Sequence, residues 1–485
     1  MAEFFAFEGT ALEDEAIRAL VRSGYDASEI AAQLRAGRVY PDDVTPGWSI
    51  HWSDPEDGKT RPFQLYVPGD YNPKRAHPVI VYLHGGIGYL CSVEGLVSQR
   101  AIWEETADQL GAILIMPHGD VIAAWWNRIG LACVNEALRC AKRQCNVDEN
   151  RVFLNGFSDG GSGTFWIAMH DPTPWAGFLA WHGDPSVVAG MSYECFPLNL
   201  VNRPLLVVNG LYDQLYPATV NRTYVEQIRE LGGHVEWEVR AADHEFEAYS
   251  PRKPRSDELV EKTVRDPYPA IVVWETSTTA AGRCDWVRID RIGRCDVDAP
   301  SMSNLLFTQA ATSLGLLIDE HTQDGALVRA VQRGFAADRC GVAAGDVIRT
   351  VNGVDAISEY SIKSAVRGAA PGVPVRIEVA RGQGSAVLSA TFPEPFPVYR
   401  RDRPAARLVA TATGNRIEVS ATNVKRFSLF LSSQQFDLDQ AIEVLVDGEP
   451  TFEGIVEPDV EFMLEQAAMD VDRQAVYEAR LEIRI

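Results

Sequence analysis

The sequence lacks any long apolar run: no stretch of about 20 consecutive apolar residues, the length that crosses a bilayer, occurs among its 485 residues. It also lacks an excess of basic side chains, because 45 Lys and Arg stand against 67 Asp and Glu and the formal charge is −22. Clustered cations are what nucleic-acid phosphates and anionic lipids attract. These absences predict a protein with no membrane insertion and no nucleic-acid partner.

Signals for export and for a structural metal are missing as well. The N-terminal residues 1–9 have neither a basic start nor a sustained apolar run, so we expect a cytoplasmic protein, or an exported one whose signal has been removed. The eight cysteines include no C-x-x-C pair, which argues against a structural zinc site. We therefore expect no metal ion. Cys284 and Cys295 are a candidate disulfide across a hairpin.

What the sequence does contain is a nucleophile pattern in residues 151–163. A short apolar strand leads into G-x-S-x-G, centred on Ser158, and a predicted helix follows. A strained strand-to-helix turn of this kind exposes a serine hydroxyl, and Gly156 and Gly160 stand where the chain would crowd itself. The alternative is a glycine-rich turn that happens to contain a serine. The interpretation therefore depends on partners elsewhere in the chain.

One partner is a loop that can bind an oxyanion. His84-Gly-Gly-Ile87 follows the apolar strand that begins at Pro78. Hydrolases with this turn take one backbone N–H from such a loop and another from the residue after the serine. We expect an oxyanion hole from Asp159, Gly86 and Ile87. A dinucleotide-binding loop is the rejected alternative, because no third glycine follows at the required spacing.

An acid and a base follow in the appropriate order. Asp213 comes just past the apolar strand that starts at Pro204, where a carboxylate can hold an imidazole in one tautomer. His244 follows the next strand, 235–239, and is the candidate base. The order Ser, Asp, His is the one that hydrolases with a nucleophile elbow use.

Each of these residues has competitors. His118 and His182 also follow apolar strands, but both precede the acid. Asp184 and Asp243 compete with Asp213 as the acid. Asp243 is adjacent to His244, too close in sequence to reach the far ring nitrogen easily. The triad Ser158, Asp213 and His244 is therefore the favoured set.

Strands and helices alternate from residue 46 to residue 265, which predicts an α/β fold with a mostly parallel sheet covered on both faces. Residues 1–45 are expected to form a helical segment. The segment 184–203 is too short for a large lid, so we expect an open site. Aromatic side chains beside such a site are candidate substrate contacts, and the sequence offers Trp125, Trp126 and Tyr212.

Residues 46–265 resemble the α/β-hydrolase superfamily, and within it the lidless esterases related to polyhydroxybutyrate depolymerases, feruloyl esterases and prolyl-oligopeptidase-like hydrolases. The motifs that carry the resemblance are His84-Gly-Gly, Asn155-Gly-Phe-Ser158-Asp-Gly-Gly, Asn209-Gly-Leu-Tyr-Asp213 and His244. The resemblance implies a serine hydrolase that needs no cofactor. It does not specify the substrate.

Residues 303–395 resemble a bacterial PDZ domain, on the stretch Gly345-Asp-Val-Ile with Val351-Asn-Gly353. The resemblance implies a groove that takes an extended peptide as an added strand. The peptide carboxylate would meet the loop Ser313, Leu314, Gly315 and Leu316, and a helix near 359–368 would form the other wall. The alternative is a PDZ fold that has only a structural role and binds no peptide, and the sequence favours neither interpretation over the other.

The two flanks of this unit, residues 266–302 and 396–485, are strand-rich. Hairpin turn signals such as Asp447-Gly448 support the prediction of one β-sandwich-like domain built from both flanks, with the PDZ unit inserted between them.

The function that these patterns favour is hydrolysis of carboxylic esters through an acyl-enzyme, with a peptide or protein C-terminus as a partner at the PDZ groove. A serine peptidase of the prolyl-oligopeptidase-like type is one alternative. A PDZ scaffold whose hydrolase domain is idle is the other.

Overall fold

The computed structural model of the protein describes residues 1–7, 9, 12–53, 58–87, 97, 100–190, 194–213, 215–216, 218–244, 254–294, 308–309, 314–322, 324–331, 335–367, 369–392, 396–397 and 403–485. The chain begins with three short helices, α1 (Ala2–Phe7), α2 (Glu13–Ser23) and α3 (Ala27–Ala36). The Asp26 carboxylate caps α3 by accepting the Ser28 N–H at 2.8 Å.

An eight-stranded sheet follows, in the spatial order β1-β2-β4-β3-β5-β6-β7-β8. The strands β1 and β2 pair antiparallel, β2 pairs antiparallel with β4, and all pairings from β4 to β8 are parallel. Their bounds are β1 Gly47–Ser53, β2 Arg61–Val67, β3 His77–Leu83, β4 Ile113–Pro117, β5 Val147–Phe157, β6 Gly177–Trp181, β7 Leu205–Gly210 and β8 Val235–Arg240.

Both faces of this sheet are covered. On β3, Val79 and Val81 belong to one apolar core, while Ile80 and Tyr82 belong to another on the opposite face. Successive side chains of a strand point to opposite faces, so two cores along one strand require helices on both sides. The helices are α4 Arg100–Leu110, α5 Arg128–Gln144, α6 Asp159–His170, α7 Pro185–Gly190, α8 Ala218–Glu230 and α9 Pro254–Lys262. The predicted α/β fold with a mostly parallel sheet is confirmed.

Two further sheets share a third core, and each takes strands from both flanks of the inserted unit. One has the order β24-β23-β21-β20-β9 and the other the order β10-β11-β22-β25. Their bounds are β9 Ile271–Thr276, β10 Arg283–Cys284, β11 Val287–Ile292, β20 Ala406–Thr413, β21 Arg416–Thr422, β22 Val424–Leu431, β23 Ile442–Val446, β24 Glu449–Gly454 and β25 Ala479–Arg484. The buried Cys284 lies here, whereas Cys295 is outside the described residues, so their pairing stays a prediction.

The inserted unit has its own sheet and its own core. The strand order is β13-β14-β15-β17-β18, with β16 paired to β15, so β13 lies at one edge. Its ends lie side by side, because β12 (Thr308–Gln309) pairs antiparallel with β19 (Phe396–Pro397). The other bounds are β13 Leu316–Thr322, β14 Gly325–Val331, β15 Val347–Val351, β16 Val354–Asp355, β17 Val375–Arg381 and β18 Gly384–Ala390, with helices α10 Ala336–Cys340 and α11 Glu359–Val366.

The N-terminal helices pack against a final helix, α12 (Val460–Asp470). Phe4, Ile17 and Leu34 of α1 to α3 form one apolar cluster with Met463 and Leu464 of α12. The first residues of the chain are therefore packed against its last helix.

Buried charges join the residues that follow α12 to the eight-stranded sheet and its helices. The Asp472 carboxylate lies 2.8 Å from Arg265 Nη2 and 3.9 Å from Lys142 Nζ, and all three side chains are at most 4% exposed. Beside them, Arg473 Nε donates to Glu149 Oε1 at 2.7 Å. Removing one partner of a buried pair leaves an uncompensated charge, which is far more costly than losing an exposed pair.

We therefore expect Asp472→Asn to lower the free energy of unfolding by about 3 kcal/mol, because Lys142 and Arg265 would keep their charges without the carboxylate. Urea unfolding followed by fluorescence measures this. The matched control is Glu418→Gln, which breaks an exposed contact between Arg416 Nε and Glu418 Oε1 at 3.0 Å. Equal stability of the two variants would contradict the assigned role of Asp472.

Candidate active site

Ser158 lies on a sharp turn between β5 and α6. Its backbone has φ 56° and ψ −117°, a region that L-residues avoid, so the turn is strained. Such strain persists only where the surrounding structure holds it, and a Cβ at Gly160 would lie 1.9 Å from the Leu83 carbonyl oxygen. The predicted need for glycine at position 160 follows from this contact. The turn presents the Ser158 hydroxyl at the carboxyl end of the parallel strands.

The base and the acid that the sequence singled out lie beside this serine. His244 Nε2 is 2.9 Å from Ser158 Oγ, and His244 Nδ1 is 2.8 Å from Asp213 Oδ2. The Asp213 side chain is fully buried and that of His244 is 13% exposed. The three side chains thus form one continuous hydrogen-bonded chain from a buried carboxylate to an accessible hydroxyl.

Asp213 is unusually well supplied with donors. Its Oδ1 accepts the backbone N–H groups of Leu215 at 2.9 Å and Tyr216 at 2.8 Å. Burial by itself would raise the pKa of Asp213, but the hydrogen bonds from His182 and His244 outweigh it and hold the pKa well below its ordinary value. The carboxylate therefore stays ionised across the neutral range, as a partner for an imidazolium must.

Sequence reasoning missed the role of His182, the second histidine on this carboxylate. Its Nδ1 lies 2.7 Å from the same Oδ2 that contacts His244. Burial lowers the pKa of His182, which favours the neutral ring with its proton on Nδ1. The signal was its place directly after β6, but His182 was considered only as a base and set aside because it precedes the acid. In the structure it orients Asp213.

The competing acids are engaged elsewhere. Asp243 Oδ1 accepts the backbone N–H of His244 at 2.8 Å rather than a ring N–H. Asp184 Oδ1 accepts the backbone N–H of Ser186 at 2.8 Å. Asp213 is thus the carboxylate that holds the His244 ring.

The loop predicted to bind an oxyanion lies beside Ser158, with one correction. The Ile87 N–H donates to Asp159 Oδ2 at 3.0 Å, so it is engaged within the protein and does not face a substrate oxygen. The candidate donors are then the N–H groups of Asp159 and of Gly86, whose φ of 64° suits glycine. Ile87 serves instead to fix the loop.

His84 braces the same loop from below. Its Nε2 accepts the Gly119 N–H at 3.1 Å, and its Nδ1 donates to the Gly85 carbonyl at 2.8 Å. Burial lowers the pKa of His84 to about 4, so the ring stays neutral and can do both at once. This histidine is structural.

Asp159 also reaches the loop that carries the acid. The Tyr216 hydroxyl donates to Asp159 Oδ1 at 3.2 Å, while the Tyr216 ring meets the His244 ring edge-on with 5.2 Å between centroids. The carboxylate of Asp159 therefore links the oxyanion loop, through Ile87, to the acid loop, through Tyr216.

The predicted substrate contacts Trp125 and Trp126 are wrong. They are 0% and 4% exposed and belong to the core, and Trp125 Nε1 donates to the His84 carbonyl at 2.9 Å. Large apolar rings bury more readily than they stay at a surface, and the loop that carries them turns inward. Tyr212 is 59% exposed, next to the acid loop, and stays a candidate contact.

Among the described residues, one trio has the spacing of a metal site: ligand atoms of His182, Asp213 and His244 lie within 4.8 Å of one another. Both imidazole Nδ1 atoms are the ones that contact Asp213 Oδ2. A metal ion there would take the place of these hydrogen bonds, so the same atoms cannot serve both arrangements.

Residues 327–381 match the family model of the PDZ domain. This stretch begins within β14 and contains β15 to β17 and helices α10 and α11 of the inserted unit. The chain carries a PDZ domain.

A curated relative matches by sequence over a short stretch. The chain is 28% identical over 113 residues to the bifunctional acetylxylan esterase/xylanase XynS20E of Neocallimastix patriciarum, which covers 23% of this chain and 16% of that protein. The chain thus spans about a sixth of the length of the curated relative it matches.

Similar solved structures have low overall similarity. A thermostable esterase is 22% identical with a TM-score of 0.38, covering 45% of this chain and 63% of its own. The fluorophosphonate-binding serine hydrolase F of Staphylococcus aureus is 17% identical with a TM-score of 0.37, and the match covers 44% of this chain and 99% of that hydrolase. A ferulic acid esterase of Anaeromyces mucronatus is 16% identical with a TM-score of 0.36, and the match covers 47% of this chain and 94% of that esterase.

The α/β-hydrolase architecture follows from this structure itself: a mostly parallel sheet, a strained turn with Ser158 after β5, and loops that carry Asp213 and His244 after β7 and β8. Of the helices that the structure describes, none has both the length and the apolar character needed to cross a membrane.

The predicted peptide-binding loop of the PDZ domain lies at the start of the edge strand β13. Leu314 and Gly315 are buried, and the Leu314 carbonyl accepts the Ala337 N–H of α10 at 3.0 Å. Leu316 is the first residue of β13, and Ser313 is outside the described residues. The helix predicted near 359–368 is α11, begun by a capping box between Ser358 and Ser361.

Proposed function

We propose that this protein is a serine hydrolase that cleaves carboxylic esters through an acyl-enzyme, with Ser158, His244 and Asp213 as its triad. The observation that carries the proposal is the hydrogen-bonded chain from Ser158 Oγ through the His244 ring to Asp213 Oδ2, with steps of 2.9 and 2.8 Å. A base within hydrogen-bond reach of a strained serine, itself held by a buried carboxylate, is the arrangement that activates a hydroxyl.

The chemistry proceeds in two halves. Ser158 Oγ attacks the ester carbonyl while His244 Nε2 takes its proton, and the carbonyl oxygen becomes an oxyanion facing the N–H groups of Asp159 and Gly86. The bond to the alcohol then breaks as His244 returns the proton to the leaving oxygen. Water attacks the acyl-enzyme in the same way and releases the acid.

The surroundings of the base support this cycle. Asp213 is ionised and fixed by four donors, so it can stabilise His244 when the ring is protonated. The strained turn at Ser158 leads directly into α6, whose N-terminal N–H groups face developing negative charge. Each preorganised oxyanion donor contributes about 3 kcal/mol to such a transition state.

The PDZ domain supplies a second proposed role, the binding of a peptide or protein C-terminus along β13. The strand lies at the edge of its sheet, which is the position that strand addition requires. The division of the chain into a helical segment 1–45, a hydrolase domain 46–265, a β-rich domain from 266–302 and 396–485, and the PDZ domain 303–395 also stays a proposal.

The test uses a fluorophosphonate probe and two substrates of matched acyl group, an alkyl ester and an anilide. We expect the probe to label the full-length protein at one site and the ester to be turned over, with anilide turnover no higher than in Ser158→Ala. A protein that hydrolyses the anilide as fast as the ester would be a peptidase instead. A protein that the probe does not label would contradict the serine-hydrolase proposal.

A further inference from the structure

One wall of the PDZ groove also reaches the hydrolase site. Lys363, on α11, places its Nζ 5.7 Å from the centroid of the Tyr216 ring. An ammonium at this distance from a ring face is attracted by it. Because the Tyr216 ring contacts the His244 ring, the inserted domain lies one side chain away from the proposed base. The site is therefore less open than the short segment 184–203 suggested.

Asp159 explains why a cation at this place matters. Its carboxylate accepts the Ile87 N–H of the oxyanion loop and the Tyr216 hydroxyl of the acid loop. Burial raises the pKa of Asp159, and the charge of Lys363 is the largest influence that lowers it. A buried carboxylate without a nearby cation is costly to keep ionised, and the protonated form would lose one of its acceptor positions.

Lys363 is itself paired with one acidic group and attracted by others. On its own helix, Glu359 Oε1 lies 2.9 Å from Lys363 Nζ. On the hydrolase side it interacts electrostatically with Asp159, Asp184 and Asp213. An ammonium that is paired with Glu359 and attracted by three further carboxylates is a poor receptor for an anionic substrate. Its chemistry fits a cation that holds acidic groups together.

We propose that Lys363 is a positioning residue of the hydrolase site, supplied by the inserted PDZ domain. It keeps Tyr216 and Asp159 in the arrangement that fixes both the oxyanion loop and the acid loop. The proposal rests on the proposed esterase function. Since Lys363 acts on the groups that meet the transition state and not on the bound ester, its loss should lower kcat and leave KM unchanged.

The experiment compares Lys363→Gln with Lys363→Arg in the full-length protein, using the alkyl ester. We expect the Gln variant to lose about tenfold in kcat at constant KM, the size of effect that a partly desolvated cation–π contact gives. The Arg variant should recover most of the activity, because a guanidinium is also a cation that stacks on aromatic rings. The matched control is Lys262→Gln, since Lys262 forms the same i,i+4 pair with Glu258 on the exposed surface of α9.

The outcomes separate the two proposals. If the wild-type protein is labelled by fluorophosphonate and cleaves the ester, but Lys363→Gln behaves like Lys262→Gln, the role of Lys363 is overturned and the esterase proposal stands. An equal loss of kcat in the Gln and Arg variants also overturns it, because the Arg variant keeps the positive charge and the loss could then not be due to removal of a cation. If the wild-type protein is not labelled, both proposals fall together.

Discussion

Replacing Ser158 by Ala is expected to lower kcat for the alkyl ester on the order of 10⁵-fold, because no other group can form the acyl-enzyme at this turn. The side chain is small and the substitution removes a single oxygen, whose contact is with His244 Nε2 at 2.9 Å. Steady-state kinetics on purified protein gives kcat, and loss of fluorophosphonate labelling gives an independent readout.

The double variant Ser158→Ala with His244→Ala tests whether the two residues act together. Residues that act as one unit lose activity non-additively, so the double variant should be no slower than Ser158→Ala alone. Ser389→Ala, an exposed serine on β18, is the matched control and should retain wild-type kinetics. If Ser158→Ala keeps most of its kcat, the assignment of the nucleophile is wrong.

The second large effect is expected for Asp213→Asn, on the order of 10⁴-fold in kcat. An amide in this position can present its NH₂ group to His244 Nδ1, which stabilises the tautomer that carries its proton on Nε2. That ring cannot accept the Ser158 proton. The same measurement on Asp243→Asn distinguishes Asp213 from one of its two competitors, because Asp243 contacts only the His244 backbone in the described hydrogen bonds.

We expect Asp243→Asn to stay within a few-fold of the wild type. Comparable losses in the two variants would contradict the choice of Asp213. The pH dependence follows from its environment. Because the pKa of Asp213 is lowered in the fold, its stabilising contribution is present above the ordinary pKa of an aspartate and is lost as the pH falls through the lowered value.

The fold could be predicted because its signals are local. Runs of buried apolar residues such as 78–83 and 205–208 define the parallel strands, and the order of polar residues after them places Ser158, Asp213 and His244 at one end of the sheet. Carboxyl ends of parallel strands meet at one edge, so strand order in the sheet was not needed to bring the three together.

What the sequence did not reveal depends on contacts between loops. His182 and His244 contact the same oxygen of Asp213, and Asp159 joins Ile87 to Tyr216. These residues are far apart in the sequence, and no periodic pattern of apolar residues predicts such contacts. Trp125 was misassigned because its loop position indicated exposure, whereas the indole packs inward on His84. The contact of Lys363 with Tyr216 lies between two domains, and neither domain's motif contains information about the other.

The pairing of β9 with β20 has a consequence for the order in which the chain folds during synthesis. Thr276 pairs with Ala406, so the whole PDZ domain must leave the ribosome before the apolar strand β9 finds its partner. The short antiparallel contact between Thr308 and Pro397 brings the two ends of that domain together. Once the PDZ domain has folded, the flexible chain between β9 and β20 consists only of the segments on either side of that domain. Closing this shorter loop costs less entropy. A PDZ domain that folds before β20 reaches β9 therefore lowers the entropic cost of joining these two strands.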